Sequence, residues 1–255
     1  MKKADLHIHS RVSDGSCTIE ELAALAAEKG LDTIAVTDHD TLSQARQIPN
    51  ELSVQIIPGI EISCFDYQAG MRVHVLGYFI HNISLVEDFV HPLLLARHEN
   101  SMKQIDILGK NGFTIELKQL NRADNRYIYK QHIMEYLVKT GQAPEMFGDF
   151  YKHIFKNNGI CAFDIHYLNP YEAVKIIKEA GGLAVLAHSG QQQNFALIPK
   201  LVKEGLNGLE LNHPANSNKD RAVIWKYARE YGLFMTGGSD FHGKYEPDSP
   251  GLGCC

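Results

Sequence analysis

Asp5-Leu6-His7-Ile8-His9-Ser10 ends an apolar run in two imidazoles spaced two residues apart. In a strand, residues i and i+2 share a face, so His7 and His9 point the same way and can hold one ion. Working outward, the arrangement recurs down the chain as Thr37-Asp38-His39-Asp40, Gly59-Ile60-Glu61-Ile62-Ser63 and Gly238-Ser239-Asp240-Phe241-His242. A fold that gathers these strand ends at one rim builds a pocket crowded with imidazoles and carboxylates. Packed together without partners, such groups are costly, and cations resolve that cost. The pattern therefore points to metal-dependent hydrolysis.

Seven segments read as short buried strands: 3–9, 33–39, 55–63, 72–79, 183–189, 208–213 and 233–240. Each is rich in Ile, Val or Leu, as expected when both sheet faces are covered. Helical segments alternate with them. Thr18-Ile19-Glu20-Glu21 is a capping box, and the helix it opens stops at Gly30. Asn169-Pro170 opens another helix that closes at Gly181-Gly182, and a third runs from near Asn218 to Gly232. Repeated β-α units predict parallel strands, in an open doubly wound sheet or a closed barrel. Residues 84–168 break the rhythm, with helices predicted over 85–110, 131–139 and 144–156 and no buried strand. The expected organisation is a barrel of 1–83 and 169–255 carrying the metal site, with 84–168 as a helical insertion packed over its mouth.

The 255 residues suffice for one large domain, and 44% hydrophobic residues permit a sizeable core. A net charge of −5 argues against a broad basic face for duplex DNA. Cys17, Cys64, Cys161, Cys254 and Cys255 form no CxxC pair, which favours a reducing cytoplasm over a disulfide scaffold. No run reaches the ~18 apolar residues of a membrane span, and no apolar signal segment follows Lys2 and Lys3. Nothing in the sequence sets an oligomeric state.

The remaining candidates sit at strand ends or beside them. Asp14 lies in the Ser13-Asp14-Gly15-Ser16 loop, and His39 closes the second strand. Asp38 and Asp40 read as acceptors behind the ligands, fixing an imidazole tautomer, and Asp5 is grouped with them. Glu61 would be costly if buried unpaired, and bridging two cations resolves that. His74 and His188 each follow apolar runs; Asp240 and His242 form a second i, i+2 pair, with Gly237 and Gly238 allowing close backbone approach.

These motifs, with Ala187-His188-Ser189-Gly190, resemble the PHP (polymerase and histidinol phosphatase) superfamily over the whole chain. The resemblance implies a distorted (β/α)7 barrel with three metal sites. Carried over by position, one ion takes His7, His9, Glu61 and Asp240, a second Glu61, His74 and His188, a third Asp14, His39 and His242. Aspartate at 14 and a helical insertion are similar to the nucleotide-phosphoesterase and 5′-3′ exoribonuclease branch. That branch commonly shows Gly-Arg-Pro-His where this chain has Tyr129-Lys130-Gln131-His132. Lys130 keeps the charge and loses the fork of arginine. Arg97, Lys130 and His132, with His98, Arg122 and Arg126 as further cations and histidine of the insertion, are the expected substrate side. His213, ending the sixth strand, looks like a phosphate contact that helps the leaving oxygen.

The implied reaction is hydrolysis of a phosphate monoester or terminal phosphodiester of a nucleotide, a 3′,5′-bisphosphate, a mononucleotide or a short RNA 5′ end. Two or three divalent ions would hold the phosphoryl group, and a hydroxide bridging two of them would attack. The mixed donor set suits Mn, Fe or Zn. A phosphatase for a small metabolite such as histidinol phosphate is the alternative. A non-catalytic PHP module would have lost ligands, and an amidohydrolase would add a bridging lysine that no strand end offers.

Overall fold

The computed structural model describes residues 3–120, 127–245 and 251–254. Seven strands form one sheet in chain order: β1 (Ala4–Ile8), β2 (Thr33–Val36), β3 (Gln55–Asp66), β4 (Met71–Tyr78), β5 (Leu183–Leu186), β6 (Gly208–Asn212) and β7 (Phe234–Gly237). The sheet curls until its ends meet. The His9 amide donates to the Phe241 carbonyl at 2.9 Å, and the Asp240 amide to the His7 carbonyl at 2.9 Å. This seam brings the two ends of the chain side by side and makes a nearly closed seven-stranded α/β barrel.

All seven predicted strands are present. Their pairing differs from the expectation at one place: β4 is antiparallel to both β3 and β5, whereas the other pairs are parallel. The reason is chain length. Only 67–70 separate β3 from β4, and a parallel crossover needs about a dozen residues. A hairpin is what so short a connection allows, with Gly70 at φ +66°. Its register sets Ser63 opposite His74.

The helices are α1 (Ile19–Glu28), α2 (Ile83–Lys110), α3 (Lys130–Lys139), α4 (Asp149–Phe155), α5 (Pro170–Glu179), the short α6 (Ser189–Gln192), α7 (Ile198–Glu204) and α8 (Asn218–Tyr231). Both arms of the Thr18–Glu21 capping box form, and Asn169 caps α5 through two amides. Gly30 and Gly232 end their helices at positive φ. The helix expected over 144–156 begins only at Asp149, because Gly148 is extended there. Val75, Leu186, Ile177 and Leu201 belong to one barrel core, and Ile8, Leu22 and Ile34 to another cluster beneath α1. Leu108, Ile133, Leu137 and Phe155 pack into a separate cluster among α2, α3 and α4. Among the described residues no helix is long and apolar enough to cross a membrane.

Candidate metal centre

Glu61 lies on β3, 1% exposed, and its two oxygens are surrounded by imidazoles. His74 Nδ1 and His188 Nε2 stand 2.8 and 2.9 Å from Oε1. His9 Nε2, His7 Nε2 and His39 Nδ1 stand 3.1, 3.3 and 3.3 Å from Oε2. Asp240 Oδ1 completes one side, 3.1 Å from His9 Nε2 and 3.4 Å from His7 Nε2. On the other side Asp14 faces His9 Nδ1 at 3.5 Å, His242 Nε2 at 3.6 Å and His39 Nε2 at 4.0 Å. All the side chains singled out as ligands therefore converge.

Donor atoms bonded to one ion at about 2.0–2.2 Å stand roughly 3–3.5 Å apart, which matches the gaps among His7, His9, Glu61 and Asp240, while those around Asp14 are wider. Among the described residues, sets of donors within 4.8 Å of one another include His7, His9, Glu61 and Asp240; His9, Asp14, His39 and His242; and His39, Glu61 and His74. In the last set His39 stands where His188 was expected, although His188 reaches the same glutamate oxygen as His74. His7 Nε2, both ring nitrogens of His9, His188 Nδ1 and Asp240 Oδ1 are buried with no hydrogen-bond partner. Orphaned lone pairs at such density fit divalent cations. The backbone is strained here too, with His188 at φ +22° and Asp240 at φ +55°.

Electrostatics follow the same geometry. Burial alone would raise the Glu61 carboxyl, but His39, His74 and His7 hold it well below the usual range. Burial would lower His7 and His9, yet neighbouring carboxylates push both well above the ordinary imidazole value. His39 goes the other way, down to about 4, because burial outweighs Glu61 and Asp14. Cations and imidazole protons thus compete for the same carboxylates.

Several expectations need correction. Asp38 accepts from the Ser10 amide and hydroxyl and the Ser13 hydroxyl, and Asp40 from the Ser63 amide and Arg97; neither accepts from an imidazole. Asp5 binds the amides of His7, Ser239 and Gly253, tying the seam together. They brace loops, because each oxygen meets an N–H or O–H of the chain before it can reach a ring. His132 is fully buried, and its Nδ1 takes the Tyr129 amide at the start of α3. It serves the helix end. Arg97 Nη2 donates to Asp40 Oδ2 at 2.5 Å and Ser63 Oγ at 3.2 Å, and the same residue lines the polar cavity beside the site. Arg122 and Arg126 lie outside the described residues.

Three contacts were not foreseen. Glu210 on β6 sits 3.0 Å from His7 Nδ1. Gln131 on α3 donates to Asp14 Oδ2 at 2.9 Å, and the Tyr129 hydroxyl to the His39 carbonyl at 2.8 Å. Glu210 carried a readable signal, a carboxylate inside the apolar run Leu209-Glu210-Leu211, as Glu61 did. The α3 contacts had none. A polar cavity of about 150 Å³ opens beside Asp14, His39 and His74, lined by Arg72, Arg97, Gln131 and Tyr167. Lys130 lies near Arg72 and Arg97, with Nζ 5.7 Å from the centre of the Phe155 ring. His213 is 3% exposed; its Nδ1 accepts the Ala215 amide, so the neutral ring carries its proton on Nε2, 3.5 Å from Asp240 Oδ2.

Comparison with known proteins places this geometry in context. The PHP domain profile matches residues 5–185. A phosphoribosyl 1,2-cyclic phosphate 1,2-diphosphodiesterase of Eggerthella lenta is 40% identical over 248 residues, 94% of each chain. The 5′-3′ exoribonuclease Rnm of Escherichia coli is 28% identical, over 93% of this chain and 84% of that one. A 3′,5′-nucleoside bisphosphate phosphatase of Chromobacterium violaceum is 28% identical, over 95% and 88%. Among solved structures, a Bifidobacterium adolescentis protein, described by inferred activity as a metal-dependent phosphoesterase, superposes with TM-score 0.86 at 27% identity, over 99% and 91%. A Chromobacterium violaceum structure described as an amidohydrolase, with sulfate bound and no metal, gives TM-score 0.79 at 26% identity, over 96% and 89%.

Proposed function

This chain belongs to the PHP domain family and is a phosphoester hydrolase, and on that premise we propose that it acts on a ribose phosphate of nucleotide type, foremost a phosphoribosyl 1,2-cyclic phosphate. One observation carries the chemistry: five imidazoles and a second carboxylate gathered around buried Glu61, beside a small polar cavity flanked by arginines. The relative at 40% identity supports the cyclic diester as the finer substrate. The exoribonuclease and the bisphosphate phosphatase support a nucleotide 3′,5′-bisphosphate or RNA 5′ end as the second reading.

In this reading His7, His9, Glu61 and Asp240 hold one ion, Glu61, His74 and His188 a second, and Asp14, His39 and His242 a third. Divalent Mn, Fe or Zn there would polarise phosphoryl oxygens and lower the pKa of water toward ~7. The residues do the rest. Glu61 is shared between groups and keeps them at fixed separation. His213 presents Nε2–H beside Asp240, where it can donate to a phosphoryl or leaving oxygen. Arg72 at the cavity and Lys130 near it attract a second phosphate, while Arg97 stiffens Asp40 and Ser63 beneath it. Residues 84–168 form a cap over the barrel of 1–83 and 169–255, and α3 of that cap reaches Asp14 through Gln131. Cys17, Cys64 and Cys161, none of them in a disulfide, support a reducing, cytoplasmic setting.

The test is a product-release screen with Mn²⁺ across phosphoribosyl 1,2-cyclic phosphate, 3′,5′-bisphosphates, mononucleotides, 5′-phosphorylated RNA and histidinol phosphate. The expected result is a kcat/KM for the cyclic diester at least tenfold above the others. A preference for bisphosphates or RNA ends would replace the finer substrate; a preference for histidinol phosphate would overturn the nucleotide-type reading.

A further inference from the structure

We infer that Glu210 is a positioning residue that sets the affinity of the metal centre by holding two of its imidazoles at once. The inference rests on the metal reading above. Glu210 is 1% exposed on β6, between Leu209 and Leu211 in sequence. Both of its oxygens are committed to N–H donors. Oε1 lies 3.0 Å from His7 Nδ1, and Oε2 accepts the backbone amide of His188 at 2.8 Å.

An ionised carboxylate only accepts, so a His7 ring that gives up a proton to bind an ion keeps its remaining one on Nδ1. That leaves a lone pair on Nε2, the atom aimed at Glu61 and Asp240 at 3.3 and 3.4 Å. The second bond acts through the backbone. His188 sits at φ +22°, a conformation that persists only where its surroundings impose it. The Glu210 bond to its amide is one such restraint, and the ring it carries reaches Glu61 at 2.9 Å. Glu210 is itself anchored: Asn216 Nδ2 donates to the carbonyls of Glu210 and Leu211, both at 3.1 Å.

A direct ligand role fits less well, although Glu210, His7 and His213 also present donor atoms within 4.8 Å of one another. An ion there would need the His7 lone pair on Nδ1, which would protonate Nε2 and so prevent His7 from sharing an ion with Glu61 and Asp240. Partners that orient a ligating histidine in this way typically contribute roughly 10- to 100-fold in metal affinity.

The experiment uses the full chain, stripped with chelator and reloaded with Mn²⁺. Affinity is read by chelator competition, and the His7 tautomer by long-range ¹H–¹⁵N NMR of protein loaded instead with diamagnetic Zn²⁺, where a ligating ring is neutral. Glu210→Gln keeps the shape but turns an amide NH₂ toward one of the two N–H donors. The expected result is a roughly 10- to 100-fold loss of Mn²⁺ affinity and a disturbed His7 tautomer, with Glu210→Asp, which keeps the charge, recovering part of the affinity. In a His7→Gln background the Glu210→Gln effect should shrink, because its main route is gone. Unchanged affinity and tautomer in Glu210→Gln, or an undiminished effect in the His7→Gln background, would overturn the positioning role alone. Should Glu210→Gln not fold, wild-type affinity in Glu210→Asp would overturn it equally, since one methylene less breaks the double reach. Folded wild-type protein that takes up neither Mn²⁺ nor Zn²⁺ would instead overturn the metal reading itself.

Discussion

Glu61 has five imidazole nitrogens within 3.3 Å of its two oxygens, so no other single side chain touches as much of the site. Glu61→Gln should abolish turnover and weaken Mn²⁺ binding by at least about a hundredfold, the upper range for residues one shell further out. Full activity in that variant would remove Glu61 from the mechanism; steady-state kinetics and metal analysis decide it. Lys130 gives a pH signature. Burial, aided by Lys156, lowers its ammonium from the ordinary 10.5 to about 8. Its charge is present below that pH and lost above it, so KM for a doubly phosphorylated substrate should rise between pH 7 and 9. One unit above the pKa about a tenth remains charged. The unfolded chain binds more protons between pH 8 and 10.5, so this group's contribution to stability rises with pH across that window. Lys130→Arg should flatten the KM profile; a flat profile in the wild type would contradict the assignment. At this scale the His-x-His and Asp-x-His pairs were legible because strand alternation dictates them. Asp38, Asp40 and His132 were misread because they meet backbone amides, hydroxyls and, for Asp40, the Arg97 guanidinium, which spacing does not reveal.

The seam between β1 and β7 is the element on which the site depends. A Cβ on Gly238 would lie 2.2 Å from His7 Cβ and 2.7 Å from the His7 amide. Gly238→Ala should therefore cost about 1–3 kcal/mol by overpacking and displace a ligand, lowering Mn²⁺ affinity as well. Gly30→Ala is the contrast: φ is +68° with nothing within 4 Å, so strain of roughly 1 kcal/mol should appear with metal binding intact. Urea melts with chelator titrations separate the two; equal loss of metal in both would deny the seam its role. The β3–β4 hairpin was readable in principle, since the few residues after Asp66 cannot hold a crossover helix. The alternation of strands and helices elsewhere masked that constraint. The contacts of α3 with Asp14 and His39 were beyond reach, because Gln131 and Tyr129 lie more than 80 residues away in sequence from the groups they touch.

For the molecule as a whole, a ring of strands brings residues 7 and 240 into contact and converts scattered motifs into one charged cluster. Fold class was legible because strand ends bearing ligands specify where the strands must converge. Binding of cations to this cluster in the folded state alone should stabilise it, by about 2.7 kcal/mol at a hundred times Kd. Chelation should lower Tm by roughly 5 °C or more for a chain of this size. Acidification toward pH 5 should have the same effect, since protons displace cations from His ligands that must be neutral to bind. Equal Tm with and without metal at pH 7 would contradict this. The most direct test of convergence on shared cations is anomalous diffraction from Mn²⁺-loaded crystals. The account predicts at least two peaks beside Glu61, one bounded by His7, His9 and Asp240; a loaded crystal with no peak within bonding distance of Glu61 would contradict it.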